Sequence, residues 1–388
     1  MKPVTTFIRH NGIKALISLE KGVRKISKGR YCRKRLFNCR CEYVGTDVRI
    51  IKETDTATFI AKCDENGNIV DKPFKILVAT DIHLGGKMRF MMKSLNLLAR
   101  HIADEKPDLV IFTGDVVQTD YQQIDSVQFA QYMEEMGVYW AYVFGNHEAR
   151  EEKEYHKYFM MENMRRFPHC LSKHGDPSLF GYGNFMINIM NSEKSVQQSL
   201  VFFDSGRNIT SKWRKEYNLP DNLKGYDFLK QNQIDWYKRE ITALRKEYGE
   251  VKSMMFMHIP LPEYAEVMDG IDDFKYVPSG KAEILYGKQF ESVGSSPYNS
   301  GMFDAILELG STQAVFAGHD HINDFCAIYK GVHLVYVQCS GYEEYNLGSK
   351  LGVPEDDWPQ GVTMVDIDRN GEASYRQRFN ITYLKENL

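Results

Sequence analysis

Five short apolar runs in this chain each stop dead at a glycine or a hard polar residue. They are "FKILVAT" (74–80), "LVIFT" (109–113), "YWAYVF" (139–144), "SMMFM" (253–257) and "QAVFA" (313–317). A run that is apolar at nearly every position suits a strand covered on both faces, and it excludes a half-solvated sheet for these segments. Between the early runs lie stretches with apolar residues at helical spacing. The stretch 88–106 ends before Pro107, 127–137 stops at Gly137, and 230–249 stops at Gly249. Such alternation predicts an α/β fold whose first strands pair in parallel. Further runs at 185–190, 200–204, 333–338 and 362–368 are more closely spaced and fit antiparallel pairing.

Each of the five runs hands over to residues of one chemical kind. "DIHLGG" brings Asp81 and His83, "GDVV" brings Asp115, and "GNHE" brings Asn146, His147 and Glu148. The fourth run delivers His258 and the fifth "GHDH", with His319 and His321. Ligand sites in open α/β sheets gather beyond the carboxyl ends of the strands. Asp81, Asp115 and Asn146 are each separated by about one strand–helix–strand unit of roughly 30 residues, which sets their loops side by side. Gly114, Gly145 and Gly318 fit sharp turns or close backbone approach. Carboxylate mixed with imidazole suits Mn, Fe, Zn or Co rather than calcium or magnesium alone. The donors exceed what one tetrahedral ion takes and suit two divalent ions that share a carboxylate.

Taken together and in this order, Asp81-x-His83, Gly114-Asp115, Gly145-Asn146-His147-Glu148, His258 and Gly318-His319-x-His321 resemble the five-motif signature of calcineurin-like metallophosphoesterases. The resemblance covers about residues 74–340. "LVFFDSG" (200–206), "QNQIDWY" (231–237), "FMHIPLPEY" (256–264), "NSGMFDA" (299–305), "GHDHINDF" (318–325) and "SGYEEY" (340–345) are similar to one branch, the purple-acid-phosphatase-like phosphatases of the Dcr2 and plant class III type. That resemblance implies a four-layer α/β/β/α sandwich of two mixed β-sheets with a dinuclear site on one edge. It implies that Asp81, His83 and His321 hold one metal, that Asn146, His258 and His319 hold the other, and that Asp115 bridges them. His147 would act on the substrate phosphate or the leaving oxygen. The expected activity is phosphoester hydrolysis, most of all of phosphomonoesters, by a hydroxide generated at the metals. The true purple enzymes carry a tyrosine three residues after the bridging aspartate; Gln118 stands there in this chain, which implies divalent metals and no tyrosinate colour.

Other residues carry weaker expectations. Glu148 either orients His147 or is a surface carboxylate. Arg150 is placed to touch phosphate or to begin a helix. Asn299 and Tyr264 are expected to line the pocket, and Trp236 and Tyr237 to pack a helix. His10, His101, His156, His169, His174 and His333 have no partner pattern and read as surface or structural.

Bulk properties limit the alternatives. The formal net charge of the 388 residues is -3, so no global field recruits nucleic acid. Residues 1–60 are expected to form an unassigned basic extension ahead of a domain spanning 61–388. Within residues 1–41, twelve lysines and arginines face Glu20 alone, among interleaved apolar residues. Such a segment suits weak contact with an anionic membrane surface or a solvated extension. Seven scattered cysteines and no visible signal peptide or spanning segment fit a cytoplasmic protein. Three other functions stay open: a phosphodiesterase using the same metals, an enzyme acting on a lipid phosphate, and a non-catalytic scaffold. The expected substrate is a phosphorylated small molecule or phosphoprotein.

Overall fold

The structure is a computed structural model, and it describes residues 47–148, 155–272 and 275–380. In chain order the strands are β1 (Val48–Glu53), β2 (Ala57–Lys62), β3 (Phe74–Ala79), β4 (Leu109–Phe112), β5 (Tyr139–Tyr142), β6 (Phe185–Met190), β7 (Val196–Phe202) and β8 (Ser253–Phe256). They continue as β9 (Met268–Asp272), β10 (Lys275–Pro278), β11 (Glu283–Tyr286), β12 (Thr312–Ala317), β13 (Cys326–Tyr329), β14 (Val332–Tyr336), β15 (Gly361–Ile367) and β16 (Ala373–Phe379). One mixed sheet has the order β16-β15-β3-β4-β5. A second, of nine strands, runs β1-β2-β6-β7-β8-β12-β14-β13-β11, and β9 and β10 form a separate hairpin. In the smaller sheet β3, β4 and β5 are parallel, as the alternation predicts.

The period of two explains the continuous apolar runs. Ile76, Val78, Ile111, Ala141 and Val143 point from the small sheet into a core shared with Ile187, Phe202, Met254, Phe256 and Phe316 of the large one. Their neighbours Leu77, Ala79, Val110, Phe112 and Trp140 point the other way. They meet residues such as Leu98, Phe129 and Met160 of the helices Met88–Glu105, Gln122–Met136 and Tyr155–Met164. On the far side, Met255, Met257, Val315 and Ala317 pack on Trp236, Ile241, Phe303 and Ile306 of the helices Gln231–Tyr248 and Met302–Leu309. Helices, sheet, sheet and helices thus make the four expected layers.

Register in the large sheet is fixed by a ladder of stacked rings. Phe185, Phe202, Phe256 and Phe316 stand opposite one another on β6, β7, β8 and β12, with successive centroids 4.4, 5.2 and 4.7 Å apart. Aromatic cross-strand pairs add to sheet stability beyond the area they bury. Here they also align the ends of β8 and β12, which lead directly to His258 and His319.

The domain boundary expected at residues 60/61 is corrected. It falls inside β2, which pairs in parallel with β6, so the large sheet already begins with the β1–β2 hairpin. The basic segment 1–41 and Arg150 lie outside the described residues.

Candidate metal centre

The loops after β3, β4, β5, β8 and β12 meet at one end of the two sheets. They form three groups of closely spaced donors: Asp81, His83 and His321; His83, Asp115 and His147; and Asp115, His258 and His319. Asp115 Oδ2 lies 3.2 Å from His258 Nε2, 3.8 Å from His147 Nε2 and 3.9 Å from His83 Nε2, so this carboxylate faces both halves of the site. Asn146 Oδ1 lies 2.9 Å from His258 Nε2. All seven predicted ligands are therefore brought together.

Three histidines have their outer nitrogens occupied. Nδ1–H of His258 donates to the Thr113 carbonyl (2.8 Å) and that of His321 to the Tyr345 carbonyl (2.9 Å). That of His83 donates to Gln118 Oε1. Each Nε2 is thereby turned inward, the arrangement that orients ligating histidines. His83 Nε2 then faces His321 Nε2 at 3.1 Å, and His258 Nε2 faces His319 Nδ1 at 3.2 Å. Asp81 Oδ1 is buried 3.4 and 3.6 Å from His321 and His83 without a well-aligned hydrogen bond. Nitrogens that converge on buried carboxylates need positive charge among them, so the donor set fits cations.

Electrostatics agree. Burial alone would raise the Asp81 and Asp115 carboxyls. The His321 and His83 imidazoles outweigh it at Asp81, and His258 does so at Asp115, so both stay well below the usual range. Burial would likewise lower His258 and His321. The Asp115 carboxylate instead pushes His258 up to about 10, and Asp81 pushes His321 up to about 9. Burial and the neighbouring His258 charge bring His319 down to about 3. His258 and His321 are thus held protonated beside two ionised carboxylates.

The backbone is drawn tight around these groups. Asp81, His83, Asp115 and His319 all have φ between 50° and 78°. This left-handed region costs a non-glycine residue on the order of 1–3 kcal/mol and persists only where the surroundings enforce it. Gly145 packs so closely that an added Cβ would lie 2.1 Å from Asp115 Oδ1.

Glu148 supplies much of the enforcement, and neither expectation for it holds. The side chain is buried and touches backbone, not His147. Oε1 accepts the N–H groups of Val116 (2.7 Å) and Val117 (3.0 Å); Oε2 accepts those of Asp115 (3.0 Å) and Gly145 (2.7 Å). One carboxylate thus ties the "GDVV" loop to the "GNHE" loop. Burial and the Asp115 charge raise its pKa. Glu148→Gln would set an NH2 group against two buried N–H donors. At about 1–3 kcal/mol for each of these two donors, we expect a loss of about 2–6 kcal/mol in stability, read from the urea unfolding midpoint.

His147 differs from the ligands in exposure: its side chain is 31% exposed, against 2% for Asp115. Its N–H donates to Asp115 Oδ1 (2.8 Å), Gln122 Nε2 holds its carbonyl (2.5 Å), and its ring stands edge-on to His83 at 5.1 Å. It therefore lines the mouth.

Several other residues shape the site, although no ligand spacing in the sequence marks them. The Tyr345 ring stacks on His321 at 4.4 Å, and the Tyr226 ring stands edge-on to His319 at 4.2 Å. Asp320, between the two histidines, accepts the Gly294 N–H (2.9 Å) and the Tyr336 hydroxyl. Tyr264 does not line the pocket. It is fully buried, and its hydroxyl donates to the carbonyls of Val315 (2.7 Å) and Val335 (3.2 Å). Asn299 is exposed and donates to Glu263 (2.6 Å). Trp236 and Tyr237 are core residues, as expected, and the described histidines beyond the motifs enter none of the donor groups.

The sequence model of the calcineurin-like phosphoesterase family matches residues 74–323. The chain is 30% identical over 308 residues to an Arabidopsis thaliana protein named probable inactive purple acid phosphatase 14, across 71% of this chain and 72% of that one. It is 29% identical over 336 residues to probable inactive purple acid phosphatase 29 of the same plant, across 78% of each. It is 30% identical over 277 residues to phosphatase DCR2 of Saccharomyces cerevisiae, across 65% of this chain and 45% of that one.

Proposed function

Because this chain belongs to the calcineurin-like phosphoesterase family, we propose that it is an active phosphomonoesterase with a dinuclear metal centre. The observation that carries the reading is the pair of adjacent His/Asp groups with Asp115 facing both. Asp81, His83 and His321 would hold one divalent ion of the Mn, Fe, Zn or Co class, and Asn146, His258 and His319 the other. When bound, such ions supply Lewis acidity toward phosphoryl oxygens and bring the pKa of water toward 7.

The chain's own residues do the rest. Asp115 keeps its negative charge against burial and neutralises both halves. Glu148 holds the two central loops at fixed separation. His147 stands at the mouth, fixed through its N–H and carbonyl, where its imidazole can carry a proton to the departing oxygen. Tyr226 and Tyr345 wall the entrance beside the two histidines of the last motif. The substrate in this reading is a phosphorylated small molecule or phosphoprotein. The three relatives are named as phosphatases or probable inactive phosphatases, so activity is the point to test. Among the described residues no helix is long and apolar enough to cross a membrane. A lipid-phosphate substrate rests only on the basic segment 1–41.

The test compares p-nitrophenyl phosphate with bis-p-nitrophenyl phosphate after loading with Mn, Fe, Zn or Co. We expect the monoester to turn over with at least one metal, and faster than the diester. A diester preference would favour the phosphodiesterase reading. Two bound metals without turnover of either ester would favour a scaffold.

A further inference from the structure

We propose that Gln118 is a positioning residue that controls one of the two metal sites through His83. The inference rests on the dinuclear reading and adds a residue that is not itself a ligand. Three histidines in the site give their Nδ1–H to an oxygen. For His258 and His321 that oxygen is a main-chain carbonyl, of Thr113 and Tyr345. For His83 it is a side chain, Gln118 Oε1. Among the three, only the orientation of His83 depends on a side chain that substitution can change.

The fold delivers Gln118 to that point. The segments after β3 and β4 continue side by side beyond the sheet. His83 N–H donates to the Asp115 carbonyl (3.0 Å), Leu84 N–H to that of Val116 (2.7 Å), and Gln118 N–H to that of Leu84 (2.8 Å). Gly85 permits the approach. Its φ is 144°, and an added Cβ would lie 2.1 Å from Thr119 Cγ2 and 2.6 Å from the Gln118 carbonyl oxygen. Glu148 anchors the same segment by accepting the Val116 and Val117 N–H groups. The half-buried Gln118 side chain is thus held against the outer edge of the His83 ring. Its amide oxygen accepts the Nδ1 proton, so Nε2 keeps its lone pair turned to Asp81, Asp115 and His321. Position 118 acts on a ligand from outside and contributes no ligand itself.

The consequence is asymmetric. Losing the acceptor frees the His83 ring and its tautomer but leaves Asn146, His258 and His319 untouched. Partners of this kind change metal affinity by about 10–100-fold. The test titrates Mn into wild-type protein, Gln118→Leu and Gln118→Glu, with calorimetry for affinity and Co substitution for the d–d spectrum. Gln118→Leu keeps the bulk and removes the acceptor; Gln118→Glu keeps an acceptor. We expect the leucine variant to bind one equivalent as wild type does and the second about 10–100-fold more weakly, with only one of two Co environments altered. The glutamate variant is expected to restore the second site to within about threefold. Thermal melting identifies any variant that has lost its fold, and in that case the glutamate variant alone decides, by its second-site affinity. Two wild-type affinities in Gln118→Leu, or equal weakening of both, would overturn the assignment. If wild-type protein binds no metal, the dinuclear reading falls first, and a shift in Gln118→Leu alone cannot produce that result.

Discussion

Asp115→Asn is expected to abolish binding of both metals and to lower kcat/KM for p-nitrophenyl phosphate at least about a thousandfold, or about 4 kcal/mol at 1.36 kcal/mol per decade. The substitution is nearly isosteric, so its effect isolates charge. Asp115 is buried, yet its carboxyl stays ionised because His258 opposes the burial. Its Oδ2 is the atom common to both halves, within 3.9 Å of His83 and His258. An amide there leaves His258 and His319 facing one another at 3.2 Å without the neighbouring anion. A buried cation deprived of its counter-charge is strongly disfavoured, so neither half should load normally. Metal content by mass spectrometry and steady-state rates check this together. Two retained metals would assign the bridging role elsewhere.

His147→Ala should behave differently. Its ring lies at the mouth, half-buried, and its N–H to Asp115 is a backbone contact that alanine keeps. Both metals should stay bound, while kcat falls by about 10²–10⁴, the usual contribution of a positioned proton donor. The chemistry gives a sharper readout. A proton donor matters more as the leaving group becomes more basic. The loss should therefore be larger with phenyl phosphate than with p-nitrophenyl phosphate. An equal loss for both esters would assign His147 to charge stabilisation at the phosphoryl group. Loss of metal would make it a ligand.

The contrast between these two residues is legible in the sequence, because both belong to motifs that end buried strands. Such strands are easy to read: covered on both faces, they are apolar throughout, and the polar residue that ends each run marks the sheet edge. Other elements lack that signature. β16, "ASYRQRF", pairs only with β15, and Arg376, Gln377 and Arg378 interrupt its apolar residues, so it lacks a continuous apolar run. β1 exposes five of its six residues, and its hairpin reads as part of the basic extension that precedes it. The edge helix Met302–Leu309 is too short for its period to stand out. Glu148 misleads because the sequence places it beside His147, whereas the turn points it back into four backbone N–H groups. Tyr264 misleads because it lies just beyond a ligand motif, yet its hydroxyl is spent on β12 and β14. Tyr226 and Tyr345 meet His319 and His321 only in three dimensions, and no spacing announces such contacts.

The central claim is most directly tested by loading purified protein with Mn in steps while following both bound metal and hydrolysis of p-nitrophenyl phosphate. The account predicts two equivalents bound, with hydrolysis rising as the second site fills. Full hydrolysis in metal-free protein, or no metal retained at any concentration tested, would contradict it.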